Sequence, residues 1–398
     1  MTATNTGALS HAEVLVLRNE TPGIDHVVHL NHAGSSLPTQ TTLDTQIEHL
    51  QLEATRGGYE AADLSAEADQ QVYESIADLI NAKPHELARL EQATAAWNAG
   101  FWSVPMKPGQ RIITANAAYG ANAVGFLRAV ERRGVTIDVI GDDEHGQLDV
   151  GELANRIDND VALIALTHIP TNGGLINPAA QVGQIANAAG IPFLLDACQS
   201  IGQIHIDVEA IGCDLMSCTG RKYLRGPRGT GFLYASDRII HRLLPDHPDH
   251  HGADWTAPDS FVLQPNAQRF ESWEYAHAGW LGLGAAVDAA RTIGTQRIEA
   301  TVIERGATLR SHLRDAGFTV WDKGEHKGGI VTATSKQVSP LDAKAALRAQ
   351  GINISVTSPA STLWDATDRS LPDLMRLSVH YFTTEDEIAS AVSALSAL

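Results

Sequence analysis

Short apolar runs recur through the middle of the chain, spaced so that a helix fits between each pair. RIITAN (111–116), VTIDVIG (135–141), ALIALTHI (162–169), PFLLDACQ (192–199), DLMSCTG (214–220) and GTGFLYAS (229–236) predict buried strands or their exits. Between them, AVGFLRAVERRG, LDVGELANRI and PAAQVGQIANAAG place apolar residues at i, i+3, i+4, with glycine near their ends. That spacing predicts helices. Strands alternating with helices form an α/β layer around a largely parallel sheet, with active-site loops at the carboxyl ends of the strands.

After residue 236 the texture changes. The stretch 237–260 is rich in His, Pro and Asp and predicts a surface excursion. A helical pattern follows over about 275–315, and 317–398 predicts a small α+β unit ending in the helix EDEIASAVSAL. The expected organisation is an N-terminal arm (1–20), a large α/β domain (21–270), a connecting helical region (271–289) and a small α+β domain (290–398).

Composition narrows the function classes. The 398 residues include 29 Lys+Arg against 47 Asp+Glu, a formal charge of −18, and 43% are apolar. Such a chain is not disordered, and it lacks the clustered cations that hold a nucleic-acid backbone. No run approaches the roughly 20 apolar residues of a membrane span. The N-terminal stretch has no basic start followed by an apolar core, so no secretory signal is expected. Three cysteines (Cys198, Cys213 and Cys218) do not make a disulfide framework, and a cytoplasmic location is expected. His241, His247, His250 and His251 match no zinc spacing, and GPRGTG (226–231) lacks the Lys-Ser/Thr of a phosphate-binding loop. Neither a metal nor a nucleotide is expected.

The chemistry concentrates in LLDACQSIGQIHIDVEAIGCDLMSCTGRKYLRGPRGTGFLY (194–234). Asp196 ends one apolar strand and Gln199 follows. The next strand delivers Arg221 and Lys222 into a loop rich in Gly and Pro. A lysine facing a carboxylate from the neighbouring strand end suits pyridoxal phosphate, which needs a lysine for a Schiff base and an anion beside its ring nitrogen. The lysine must then also serve as a base, which asks for a neighbouring positive charge or desolvation, and Arg221 beside it supplies a positive charge. A surface Arg-Lys pair and a helix-capping Asp are each commonplace; their ordered combination is not.

LLDACQ, CTGRKYLRGPRGTGFLY, RFESWE and RLSVHYFTTEDEI resemble the class V, fold-type I pyridoxal-phosphate enzymes: aminotransferases, cysteine desulfurases and an isopenicillin-N-epimerase-like branch. The resemblance runs from LNHAGSSLP (30–38) to the final helix. It implies a fold-type I large domain with a mostly parallel sheet of the seven-stranded type, and a small C-terminal α+β domain. It also implies Lys222 as the Schiff-base lysine and proton shuttle, Asp196 on the pyridinium nitrogen, and Gln199 on the phenolic oxygen. EQATAAWN (91–98) matches the phosphate cup and implicates Ala93, Thr94 and Ala95, with Thr219 and Arg221 on the same phosphate. Tyr119 stands where the family often stacks a His on the ring. Thr171 and Asn172 replace the family's Ser-Asn pair, and one of them is expected near the phenolic oxygen or substrate. Arg376 matches the arginine that grips the substrate's α-carboxylate. RFESWE (269–274) resembles a segment that helps build a neighbouring subunit's site, which implies a homodimer with a shared active site, although the family often carries Thr near the position of Glu274.

The resemblance leaves the reaction open. The desulfurase branch uses a nucleophilic Cys on a small-domain loop, and all three cysteines here precede Lys222, with none in 353–374. Persulfide-forming desulfuration is therefore not expected. After Cα–H cleavage by Lys222 the outcomes are β-elimination, epimerisation or transamination, with decarboxylation as a further route. The leading expectation is a carbon–sulfur lyase acting on a cysteine S-conjugate, its side-chain pocket drawn from Tyr59, Trp97, Trp102, Trp255 and Trp273. The alternative from another class is a silent scaffold of the same fold; the presence of both Lys222 and Asp196 speaks against it.

Overall fold

A computed structural model of the protein describes residues 6–398. The N-terminal part is helical: Gln40–Arg56, Gly58–Leu64 and Ala66–Ile80 follow one another closely. A two-residue strand precedes them, β1 (Val28–His29).

Seven strands form the central sheet: β2 (Leu87–Leu90), β3 (Arg111–Ala115), β4 (Thr136–Ile140), β5 (Val161–Thr167), β6 (Phe193–Asp196), β7 (Leu215–Thr219) and β8 (Gly231–Ala235). Their spatial order is β2-β8-β7-β6-β5-β3-β4. Neighbours from β7 to β4 pair in parallel, and β8 runs antiparallel between β7 and β2. The six apolar runs of the sequence therefore form six strands of this mostly parallel sheet. The seventh, β2, carries the charged Arg89 and gave no comparable apolar signal.

Both faces of the sheet are covered. Phe193, Leu195 and Met216 pack into one apolar cluster, while Leu194, Leu215 and Leu233 pack into another. Alternate residues of a strand point to opposite faces, so strands buried on both sides are apolar at nearly every position. That is why the runs are continuous rather than alternating.

The expected surface excursion holds an antiparallel hairpin, β9 (Ala253–Ala257) and β10 (Ser260–Leu263). The helical pattern over 275–315 is two helices, His277–Ile293 and Thr295–Asp315. Between them Gly294 adopts φ +92°, a left-handed conformation that favours glycine and ends the first helix. The first of these helices packs on Gln40–Arg56 and Ala66–Ile80. Its Gly284 lies so close to Val72 that an added Cβ would stand 2.6 Å from the valine side chain.

The small domain holds a four-stranded antiparallel sheet built from β11 (Thr319–Val320), β12 (Ile330–Thr334), β14 (Ser355–Thr357) and β15 (Leu374–Ser378). The short β13 (Ile352–Asn353) pairs in parallel with β1, and Asn31 bridges Ser378. Residues 28–31 thus lie against the small domain before the chain enters the large one. Arg376 sits centrally on β15, opposite Thr332 on one side and Ser355 on the other.

Candidate active site

The strand register sets the floor of the site. Asp196, the last residue of β6, stands between Thr167 of β5 and Ser217 of β7. Thr219 ends β7, and Lys222 follows three residues later. Both strand ends open on a cleft of about 240 Å³ lined by Ala93, Thr94, Tyr119, Asp196, Thr219, Arg221 and Lys222. Seven residues singled out from the sequence therefore meet in one cleft.

Asp196 is buried, and one carboxylate oxygen accepts the Cys198 N–H at 3.0 Å, while the other accepts the Asn122 amide at 2.7 Å. Burial pushes its pKa up; the two hydrogen bonds and the nearby Lys222 ammonium pull the other way. A protonated ring nitrogen brought against this carboxylate supplies a partner that reduces its desolvation cost. Lys222 is 9% exposed and neighbours the Cys198 thiol, which burial raises above the ordinary thiol range.

The opposite wall is the N-terminus of helix Ala93–Ser103. Gln92 caps it, its side chain accepting the Thr94 N–H at 3.0 Å. First-turn N–H groups have no intrahelical acceptor and carry the positive end of the helix dipole, so the wall suits a phosphate. Ala95 belongs to the same first turn but is not one of the residues lining the cleft. The Arg221 guanidinium donates to the Gly34 carbonyl, and the Thr219 hydroxyl to the Thr230 carbonyl at 3.3 Å. Tyr119 precedes helix Gly120–Arg133, and its N–H donates to the Thr167 hydroxyl at 3.3 Å.

The remaining predicted residues adjoin the cleft without lining it. Gln199 is buried; its amide donates to the Ala33 carbonyl at 3.1 Å, and its Oε1 has no partner among the described residues. Arg376 is buried and donates to the Thr171 hydroxyl at 2.6 Å. No carboxylate pairs with this guanidinium among the described residues, its Nε is unpartnered, and burial lowers its pKa. A buried cation left in that condition is costly, and a carboxylate ligand would compensate it. Both polar ends of the Asn172 side chain are taken by small-domain threonines: it donates to Thr362 at 2.7 Å and accepts from Thr357.

Thr357 ends β14, and Thr362 belongs to the cover that follows it, a short turn Pro359–Thr362 and helix Leu363–Asp368, whose Ala360 carbonyl lies against Gly120 beside Tyr119. The cover is docked on the large domain. Asp365 N–H donates to the Asn116 carbonyl at 3.2 Å, Asn116 donates to Asp368 at 2.9 Å, and Trp364 stacks parallel to Phe126 at 6.4 Å. No cysteine lies in it.

Among the lining residues that went unrecognised in the sequence are Asn122, Arg228 and Cys198 in its position beside Lys222. Asn122 is a first-turn helix residue, and nothing in its spacing relates it to Asp196. Of the aromatic set, Trp97 lines the cleft, whereas Trp102 stacks with Arg132 and Arg133 away from it. Tyr59, Trp255 and Trp273 are exposed, and Glu274 lies among them, lining with Tyr59 and Trp273 a separate cleft of about 660 Å³.

A buried lysine facing a buried carboxylate, a helix N-terminus and an uncompensated buried arginine together fit pyridoxal phosphate and the carboxylate of an amino acid. The fold and the site define a pyridoxal-phosphate-dependent enzyme of the α/β type. The profile of the family "Aminotransferase class-V" matches residues 27–390, and the chain belongs to that family. A probable cysteine desulfurase of Methanothermobacter thermautotrophicus is 27% identical over 380 residues, covering 94% of each chain. Among solved structures, the apo cysteine desulfurase of Thermococcus onnurineus NA1 superposes with a TM-score of 0.89 at 21% identity, covering 98% of each chain. The cystine C–S lyase C-DES, solved with its product cysteine persulfide, superposes with a TM-score of 0.85 at 20% identity, covering 94% of this chain and 99% of that one.

Proposed function

We propose that the protein cleaves the carbon–sulfur bond of a cysteine S-conjugate by β-elimination. The observation that carries this reading is the docked cover, tied to Asn172 next to the Thr171 that Arg376 bonds, which holds no thiol. Cys213 and Cys218 are buried in the large domain. Cys198 borders the cleft, but burial keeps it protonated and its own N–H is bound to Asp196. A thiol in that state is a poor sulfur acceptor, because the thiolate is the reactive form. Sulfur therefore leaves on its own substituent. The curated relative is named a cysteine desulfurase and one structural neighbour a cystine C–S lyase, and both names describe attack on a carbon–sulfur bond.

Pyridoxal phosphate, when bound, supplies the electron sink for the pair released at Cα. Arg376 holds the α-carboxylate by charge-assisted hydrogen bonds and so orients the amino acid. Lys222 takes the proton from Cα and returns a proton to the departing sulfur. The Cα–H and Cβ–S bonds break, a Cα–Cβ double bond forms, and water converts the released enamine to pyruvate and ammonia. With the cofactor bound, Asp196 would hold the ring-nitrogen charge, and Ala93, Thr94, Ala95, Thr219 and Arg221 would hold the phosphate. Tyr119 would stack on its ring, with Gln199 beside its phenolic oxygen.

The same reading includes a homodimer. Tyr59, Trp255 and Trp273 are 73%, 78% and 53% exposed, and Phe261 and Val262 add apolar surface. A soluble protein seldom leaves so many large apolar side chains to water, and a second copy of this chain would cover them.

Incubation with cysteine S-conjugates and with plain amino acids tests the reaction. The assays are pyruvate, α-proton exchange in heavy water, and pyridoxamine phosphate. Pyruvate without pyridoxamine phosphate is the expected result; exchange without pyruvate would sink the proposal.

A further inference from the structure

The backbone around Lys222 is held at three successive carbonyls. The Arg221 carbonyl accepts the Ser36 N–H at 2.8 Å, and the Lys222 carbonyl accepts the Arg225 N–H at 2.9 Å. The Tyr223 carbonyl accepts from His380 Nε2 at 3.0 Å. The first and third of these holds end on two imidazoles in contact. Ser36 Oγ bonds His32 Nδ1 at 2.7 Å, and the His32 and His380 rings meet edge to face at 5.0 Å.

The tautomer of His380 follows from its partners. A carbonyl accepts only, so Nε2 carries the hydrogen, and Nδ1 accepts the Tyr381 N–H at 2.9 Å. Both nitrogens are thereby committed in the neutral ring. Complete burial and the nearby Arg225 cation hold the ring well below the usual imidazole pKa, so it stays neutral. Arg225 is itself anchored, donating to the Tyr381 hydroxyl at 2.6 Å and to Thr21 at 2.6 Å, with φ +64°.

His380 stands four residues after Arg376 on the same small-domain segment, whereas Tyr223 belongs to the large domain. One short stretch therefore touches both the carboxylate-binding group and the backbone next to the lysine. We propose that His380 is a positioning residue for Lys222: its Nε2–H holds the Tyr223 carbonyl, so the segment that places the substrate's carboxylate also places the amine that moves the Cα proton. The proposal rests on the reading of Lys222 as the base and Arg376 as the clamp. Lysine has a long, flexible stem, and proton transfer is sensitive to the distance between amine and Cα.

The test compares the holoenzyme with His380→Leu, His380→Gln and His380→Asn. A Gln amide reaches the position of Nε2 and keeps a donor there; Asn is one methylene shorter and does not. Leu and Asn are expected to slow α-proton exchange by about 10- to 100-fold with KM within about threefold, and Gln to recover most of the rate. The pH midpoint of the cofactor's visible band, which reports the surroundings of the lysine nitrogen, is expected to move in Leu and Asn and to return in Gln. Should Leu fail to accumulate as folded protein, the Asn and Gln pair carries the comparison. Wild-type exchange and an unmoved band in Leu or Asn would overturn the proposal, as would equal impairment of Gln and Asn with an unmoved band. Lys222→Ala separates this outcome from failure of the underlying reading. A borohydride-sensitive band surviving in Lys222→Ala removes Lys222 from its role, while its loss alongside a normal His380→Leu removes only the positioning role.

Discussion

The Asn122 side-chain amide, in the first turn of helix Gly120–Arg133 and 74 residues earlier in the chain, donates to Oδ2 of Asp196 at 2.7 Å. The bond favours the charged carboxylate, against the burial that favours the neutral acid. Removing it leaves Asp196 with one backbone donor, so the cost of keeping it ionised rises.

Asn122→Leu is therefore expected to weaken cofactor binding. A hydrogen bond to a charged buried group contributes about 1.5–3 kcal/mol, which corresponds to roughly 10- to 100-fold in the dissociation constant. Titration of the apoprotein with pyridoxal phosphate, followed by the visible band, measures this directly. An unchanged constant would mean that the Cys198 N–H alone holds the carboxylate in its working state.

Arg376 gives a different signature. Its guanidinium has one side-chain partner, the Thr171 hydroxyl, and no carboxylate among the described residues. Arg376→Lys keeps the charge but loses the planar fork, so KM for the amino acid should rise by about 10-fold or more while cofactor affinity stays near wild type. Steady-state kinetics and a cofactor titration on the same preparation test both halves. A rise in KM accompanied by equal loss of cofactor binding would place the arginine on the phosphate instead.

Much of this site was legible before any coordinates. Asp196 and Lys222 stand at the ends of continuous apolar runs, and runs buried on both faces are the strongest strand signal a parallel sheet produces. What escaped were residues whose roles depend on packing between distant segments. Asn122 sits on an ordinary helix start, and β2 carries a charge because Arg89 reaches Glu271 and lies 3.2 Å over the Tyr275 ring centre. Either Thr171 or Asn172 is expected near the phenolic oxygen or substrate; Thr171 accepts from Arg376, while the Asn172 amide donates to Thr362 of the small domain. No spacing along the chain relates position 172 to 357 or 362.

The N-terminal arm provides a test by pH. Glu13 caps its own helix through Ser10 and pairs with Arg297 of helix Thr295–Asp315. The Ser10 hydrogen bonds and the Arg297 guanidinium lower its pKa from 4.5 to about 2. A carboxylate depressed on folding stabilises the folded state above its unfolded pKa, and that contribution is lost as pH falls towards the folded value. Glu13→Gln should thus lower Tm by a constant amount from neutral pH down to about 5, with the gap closing as pH drops through 4.5 towards 2. A gap independent of pH across that window would show that the side chain acts by packing rather than by charge.

The exposed aromatic face gives a prediction about assembly. Trp255 and Phe261 are cross-strand partners on the β9–β10 hairpin, and both are exposed. Sedimentation velocity of the wild type should show a dimer, and Trp255→Asp with Phe261→Asp should shift it towards monomer by placing charge on the apolar contact. A wild type that sediments as a monomer at micromolar concentration would remove the homodimer from the proposal.

The cover turns the absence of a thiol into a question of motion as well as chemistry. Asn172 ties it at Thr362 and ties the strand end just before it at Thr357, and the Asn172 carbonyl accepts from Thr332, next to Arg376 in the small sheet. Asn172→Ala removes both side-chain ties and leaves two buried hydroxyls without that partner, at a cost of about 1–3 kcal/mol for each group left unsatisfied. The cover should loosen, and amide exchange across residues 357–368 should quicken. Turnover of small S-conjugates should fall, because a loosened cover admits water and positions the substrate less tightly. Bulky S-conjugates should lose less, since the docked turn Pro359–Thr362 no longer limits them. Hydrogen exchange read by mass spectrometry, together with kcat/KM for one small and one bulky substrate, separates these effects. Equal loss for both substrates with unchanged exchange would place Asn172 on the cofactor rather than on the cover.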